Sequence, residues 1–196
     1  MNLKRSFDLT ASGIGILAAG IPTLAIAFTM AAINKAPPFL TQERIGKNGI
    51  PFSMYKIRSM RETRGPDGQK LPDNQRTTLL GVWLRKSRLD EMPQLLNVLK
   101  GDMSLVGPRP VPIRVPFSMD AKRCSVPPGM TGLAQLKGTN HLSDEEWLTL
   151  DHKYIDTQST LRDIWICLQT PVRLLNNLHI PHFHARHQEA PDASKS

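Results

Sequence analysis

Cysteine is nearly absent from this sequence. Only Cys124 and Cys167 occur in 196 residues, with no CxxC spacing and no ligand pattern around them. A disulfide framework or structural metal centre therefore has no foundation, and both residues read as reduced, buried thiols. Aromatic residues make up 6% of the chain, and no recognition-helix or stacking pattern is visible, which argues against nucleic acid as a partner. Internal repeats are also missing. The length suits one domain with a single core, and so one active site.

What is present is positive charge and one long apolar run. The formal net charge is +8 and the pI is near 9.8, pointing to nucleic acid, an anionic membrane surface or phosphorylated substrates. From Leu9 to Ile33 there are 25 residues without a charge, preceded by Lys4, Arg5 and Asp8 and followed by Asn34 and Lys35. As a helix this run reaches roughly 37 Å, enough to cross a bilayer core. It is about twice the usual length of a signal-peptide apolar region. Ala31 and Ala32 make no convincing processing site, so the segment reads as retained in the membrane.

Pro22 lies mid-run, where its ring removes one helical hydrogen bond and predicts a kink. Lys4 and Arg5 on one flank face Lys35, Arg44, Lys47, Lys56 and Arg58 on the other. With both flanks basic, a re-entrant helix that returns to its own side is expected rather than a straight span. Residues 1–36 thus read as the membrane segment, 37–180 as a small irregular domain and 181–196 as a polar, disordered tail.

The central region is polar and punctuated by Pro and Gly. A strand is predicted over Phe52–Met60 and a polar loop over Arg61–Arg76. Helices are predicted over Thr78–Arg88, Met92–Lys100 and Leu142–Asp156, the last opened by a Ser143/Glu146 capping box. Leu161–Leu178 places Leu161, Ile164, Trp165, Leu168, Val172 and Leu175 on one stripe. Such a stripe is usually core; an interfacial helix on the membrane is the alternative. The fold class is α-rich α/β.

The chemistry concentrates between Leu84 and Pro110. Pro93 is tolerated only in the first turn of a helix, so a helix must begin near Asp90 or Glu91, with Asp90 at or near its N-cap. An acidic pair in that position often merely caps. Here Arg85 and Arg88 precede it and Gly107-Pro108-Arg109-Pro110 follows, presenting an arginine with little conformational freedom to a phosphate. The turn Pro127–Gly132 offers further backbone donors. Acid groups among cations suggest phosphate-ester chemistry.

With these segments assembled, the chain resembles the monotopic phosphoglycosyl transferases, the bacterial sugar transferase family. The matching segments are KRSFDL, the proline-broken apolar run, QERIGKNGIPFSMYKIRSM, LRKSRLDEMPQLLNVLKGDMSLVGPRP, PPGMTGLAQLKG, Tyr154 and LRDIWICLQT. The resemblance implies a bacterial inner-membrane enzyme with its catalytic domain on the cytoplasmic face. Its expected reaction moves a sugar 1-phosphate from a UDP-sugar to undecaprenyl phosphate, releasing UMP, early in glycoconjugate or exopolysaccharide assembly. Asp90 is then the expected nucleophile of a ping-pong reaction, forming an aspartyl-phosphosugar, and Glu91 deprotonates or positions the polyprenol phosphate. Magnesium is expected at Asp90. Arg85, Arg109 and Lys56, with Gly107 and Pro108, make up the expected substrate- and phosphate-binding set, and Asp163 would support the site.

The chain departs from the family pattern at several points. Ile21 stands where serine often precedes the breaking proline. Thr139 replaces an arginine after GLAQ, with Lys137 as its expected substitute, and Arg162 replaces an apolar residue. His179, His182, His184 and His187 fall in the polar tail, where no fold would fix them as metal ligands. A membrane-tethered, non-catalytic protein binding anions or lipid is the competing reading, followed by a structural adaptor or inactive relative. The sugar and the oligomeric state stay open.

Overall fold

The computed structural model describes residues 3–138 and 142–178. Thr139, the histidines of the tail and the proposed 181–196 segment lie outside the described residues. Helix α1 (Leu3–Asn34) contains Pro22 and continues as one helical element on both sides of it. It is long and apolar enough to cross a membrane, and only 11% of its most apolar window is buried. That exposure distinguishes it from the core helix of a soluble domain.

The two ends of α1 are held differently from its middle. Near the start, Lys4, Arg5 and Asp8 bond to the following domain. Lys4 Nζ reaches Asp163 Oδ2 at 2.5 Å and Val106 O at 3.0 Å. Arg5 donates to Val98 O and Leu99 O, and Asp8 accepts from Ser104 Oγ and Leu105 N. At the other end, Ala27 and Met30 pack with Ile57 and Leu84, and Asn34 Nδ2 donates to Arg58 O at 2.9 Å. Between these anchors Leu17 and Ile21 are more than four-fifths exposed.

Beyond α1, the predicted strand is one arm of an antiparallel hairpin, β1 (Phe39–Ile45) with β2 (Pro51–Ile57). The first arm was not apparent in the sequence. The chain turns between them at Lys47–Gly49, where Asn48 and Gly49 take left-handed φ values of 59° and 74°. Short helix α2 (Asp73–Arg76) interrupts the expected polar loop. Thr78 caps α3 (Leu79–Lys86) through the Gly81 N–H, and α4 (Gln94–Lys100) ends at Gly101 with φ 99°.

Strand β3 (Ser104–Val106) pairs in parallel with β4 (Gly129–Thr131). Helices α5 (Leu133–Lys137), α6 (Asp144–Asp156) and α7 (Thr160–Leu178) complete the fold. The expected capping box at Ser143 and Glu146 forms with both of its hydrogen bonds.

Several small cores hold these pieces. Val106, Tyr154 and Ile166 form one, and Val111, Val115, Phe117, Ala134 and Trp147 another. Full burial of an aliphatic or aromatic side chain is worth about 1.5–3 kcal/mol. Asn97 joins hairpin to helix: its side chain accepts from Tyr55 N and donates to Ser53 O, at 3.0 and 2.8 Å. That pair of bonds fixes the register of β2 against α4, and so places Lys56 over the turn that precedes α4.

The apolar stripe of α7 corrects the core reading. Leu161, Ile164, Trp165, Leu168, Val172 and Leu175 are all exposed, while Asp163 and Ile166 face inward. Helical periodicity reports that a stripe exists; it does not say which medium covers it.

Candidate active site

Asp90 and Glu91 sit in a 3-10 turn, Leu89–Glu91, that leads through Met92 and Pro93 into α4. Pro93 adopts helical φ as expected of a residue at a helix start. Asp90, however, does not cap the helix, because no side-chain cap bond forms at either helical start. Its carboxylate is turned inward and only 2% exposed, as against 8% for Glu91. Arg88, immediately before the turn, has φ 57°, a left-handed conformation that is uncommon for a non-glycine residue. This reversal brings its guanidinium back to Glu91 Oε2 at 3.2 Å.

Three cations surround the pair. Lys56 Nζ lies 3.0 Å from Asp90 Oδ2 and 3.6 Å from Glu91 Oε1, and Arg109 Nη2 lies 3.2 Å from Glu91 Oε1. The Lys56 approach to Asp90 is ionic: Oδ2 is buried without a directed hydrogen bond. Burial pushes the Asp90 carboxyl above its ordinary range, with the nearby Glu91 charge adding to the shift, and Lys56 opposes it. Burial also acts to raise Glu91, but Arg88, Arg109 and Lys56 outweigh it and hold that carboxyl well below the usual range. The two neighbours are therefore driven apart, one a stronger base than normal and the other a permanent anion.

This asymmetry has a kinetic consequence. Were Asp90 to act as a nucleophile it would have to be ionised, and a rate limited by it would rise with pH through its raised pKa. Lys56→Gln removes the cation opposing that rise, and the acidic limb of the kcat/KM profile is expected to move to higher pH. An unmoved limb in this variant would separate Asp90 ionisation from the rate.

The GPRP loop reaches the site on a rigid mount. Gly107 N donates to Thr131 O and Gly129 N to Pro108 O, at 2.9 and 2.8 Å. A Cβ added at Gly129 would lie 2.0 Å from Gly107 N, a contact that requires glycine there. The N–H groups of Gly107 and Gly129 are thus committed to backbone partners instead of being offered to an anion. Gly107 and Pro108 are buried and position Arg109. Behind the loop, buried Arg123 donates to the Arg109 carbonyl and pairs with Asp151 at 2.8 Å.

The other candidates divide. Arg85, on α3, lies 3.6 Å from Asp73 and 3.0 Å from Met60 Sδ, and its charge is felt at Asp90. Asp163 does not join the carboxylate pair. It is fully buried against Lys4, with Oδ1 2.8 Å from the Tyr154 hydroxyl, and burial together with Asp163 keeps that phenol protonated. Through Val106 this group supports the strand from which the GPRP loop emerges. Lys137 ends α5 on the exposed side, near Arg173.

One residue near the site was overlooked as a candidate. Arg44 on β1 is pushed down to about 10 by burial and by the fields of Arg109 and Arg114, and it feels Glu91. In sequence it passed as part of a basic membrane flank. Its own strand, β1, which turns it toward the site, is not apparent in the sequence.

The donor set suits a magnesium ion held mainly by substrate oxygens. Asp90 supplies one buried carboxylate oxygen, and no group of three or more His, Cys, Asp or Glu side chains converges among the described residues. Magnesium commonly keeps one or two protein carboxylates and takes its remaining ligands from phosphate and water.

The family described as "Bacterial sugar transferase" matches residues 1–177. The uncharacterized sugar transferase EpsL of Bacillus subtilis (strain 168) is 43% identical over 181 residues, covering 89% of this chain and 88% of that protein. The galactosyl transferase CpsE of Streptococcus agalactiae serotype III is 39% identical over 186 residues; these are 85% of this chain but 41% of that longer protein. A UDP-glucose:undecaprenyl-phosphate glucose-1-phosphate transferase of Caulobacter vibrioides is 38% identical over 188 residues, 88% of this chain and 69% of that one.

Proposed function

The chain belongs to the bacterial sugar transferase family, and from that premise we propose that it transfers a sugar 1-phosphate from a UDP-sugar to undecaprenyl phosphate in two displacements through Asp90. The observation that carries this reading is the buried, base-strengthened Asp90 carboxylate beside a permanently charged Glu91 and a surplus of cations. In the first displacement, Asp90 attacks the phosphorus next to the sugar. The bond from that phosphorus to the bridging oxygen breaks, and UMP departs with the oxygen and its electron pair. In the second, an oxygen of undecaprenyl phosphate attacks the same phosphorus and Asp90 leaves as a carboxylate. Splitting one transfer into two lets the donor and acceptor use a single cluster of cations in turn.

Glu91 is better suited to positioning than to proton removal. Its carboxylate is too weak a base in this setting, and a phosphate monoester with a second pKa near 6 is already largely ionised at neutral pH. Glu91 instead holds Arg88, Arg109 and Lys56 in one arrangement, ready to share the charge of incoming phosphates. Asp90 would hold magnesium, and the ion would offset repulsion between the carboxylate and the diphosphate. Arg85 and Arg44 add to the field that draws the donor.

The reading places the domain on the cytoplasmic face of the inner membrane, with α1 re-entering at Pro22. Support comes from the anchors at both ends of α1 on one domain, with an exposed apolar middle; a straight span would carry one end across the bilayer. Cysteines placed at positions 2 and 40 should both be labelled from the same side of sealed vesicles. Labelling from opposite sides would establish a spanning helix.

The activity itself is tested by screening UDP-sugars for UMP release in the presence of undecaprenyl phosphate and magnesium. One sugar is expected to give lipid-dependent release, and release from none of them would remove the assignment.

A further inference from the structure

A cleft of about 310 Å³ lies between α5 and α7. Its apolar wall is made by Leu133, Leu136, Trp165 and Val172, and Lys137 and Arg173 supply the only ionisable groups of its lining. Arg173 is bent over the end of α5, with Nη2 at 3.5 Å from Lys137 O, while its Nε–H is buried without an acceptor. Two cations and an unmet donor thus share one edge of an apolar groove that no carboxylate lines.

The groove is continuous with the stripe on α7, since Trp165 and Val172 belong to both and are about half exposed. On that stripe Leu161 and Leu168 are among the most exposed apolar side chains of the domain. An occupant must therefore be apolar along the stripe and anionic at its Lys137–Arg173 end. Charge complementarity and this ordering of chemistry select one class.

We propose that the α5–α7 groove binds the phosphodiester head group of an anionic membrane phospholipid, with its acyl chains lying along α7. The proposal rests on the reading that the α7 stripe faces the bilayer. Arg173 supplies its guanidinium charge to the phosphodiester, and Lys137 supplies a second charge. Trp165 lies against the glycerol and upper acyl region, where amphipathic aromatic rings are favoured. Each basic group near an anionic membrane surface strengthens attachment by about fivefold, and a pair fixed at one edge of a groove directs that attraction to a single head group.

The test uses the full chain in phosphatidylcholine vesicles with a minor fraction of brominated lipid, reading tryptophan quenching. Trp83→Phe removes the other exposed indole, leaving Trp165 to report against the buried Trp147. Brominated phosphatidylglycerol is expected to quench several-fold more strongly than brominated phosphatidylcholine at equal mole fraction. In Lys137→Gln/Arg173→Gln the preference should vanish while quenching by brominated phosphatidylcholine persists.

Equal quenching by the two lipids in the parent overturns the head-group site while leaving α7 on the membrane. No quenching by either overturns the membrane reading of α7 itself. A preference that survives in the double variant places the selection elsewhere, and displacement of the brominated lipid by stoichiometric undecaprenyl phosphate would overturn the phospholipid assignment by making the groove a substrate site.

Discussion

Asp90→Asn is expected to lower UMP release by on the order of 10⁴-fold or more, the scale seen when a nucleophile is removed from an otherwise intact site. The wild-type protein is expected to form a sugar-phosphate adduct from a UDP-sugar without acceptor lipid, and the same variant should form none. Stability should move the opposite way. Burial raises the Asp90 pKa in the folded state, so its stabilising contribution is fullest below the unfolded carboxyl pKa and is lost as pH rises through the folded value. At neutral pH the ionised, buried carboxylate opposes folding, and asparagine removes that opposition. Lys56 keeps Glu91 Oε1 as a partner at 3.6 Å. The melting temperature of Asp90→Asn at pH 7 should therefore equal or exceed that of the wild type, with the gap closing in acid. A variant that keeps adduct formation would remove Asp90 from the chemistry, and one that loses activity only through unfolding would show a lowered melting temperature.

Asp163→Ala should have the largest effect on folding. The carboxylate is fully buried and joins Lys4 of α1 to Tyr154 of α6. Removing it leaves the Lys4 ammonium and the Tyr154 hydroxyl without their strongest acceptor, and breaking a buried pair in this way costs about 3–5 kcal/mol. Lys4→Met/Asp163→Leu removes both charges together and should recover most of that loss, because two buried charges exchanged for apolar groups are often nearly neutral. Denaturant melts in detergent micelles measure both. A cost under about 1 kcal/mol for Asp163→Ala would mean that the pair behaves as a solvated surface bridge.

The parts of the fold that announced themselves in sequence carry local chemistry. Ser143 and Glu146 marked the start of α6 because a capping box is complete within four residues. Pro93 marked the approach to α4 because its ring is excluded from helix interiors. Strand β1 stayed hidden because its half-buried positions alternate regularly with exposed ones but carry Gln42 and Arg44 as well as Leu40, so the alternation of exposure leaves no apolar rhythm in FLTQERI. Arg44 was hidden with it. The Lys4–Asp163 contact could not be read because its partners are 159 residues apart, and no local pattern encodes such a pairing.

At the candidate site, the Asp-Glu pair, Lys56 and Arg109 were legible and are brought together. The difference between the two carboxyls was not. It depends on which side chain faces the interior and on how many cations reach each oxygen. Asp90 was expected to cap a helix and instead turns inward, while Glu91 collects the three cations. The turn holding Gly129 was expected to offer amide groups to an anion and Gly107 to belong to the phosphate-binding loop; their close crossing uses both amides within the scaffold.

The Lys4–Asp163 bond also sets an order of events during biosynthesis. A ribosome adding about 5–20 residues per second needs about 8–32 s to make the 159 residues that separate the two partners. For that interval Lys4, at the start of a helix long and apolar enough to cross a membrane, lacks its buried partner. The clamp closes only after α7 begins to emerge, so one of the first parts of the chain to be made is among the last to be locked.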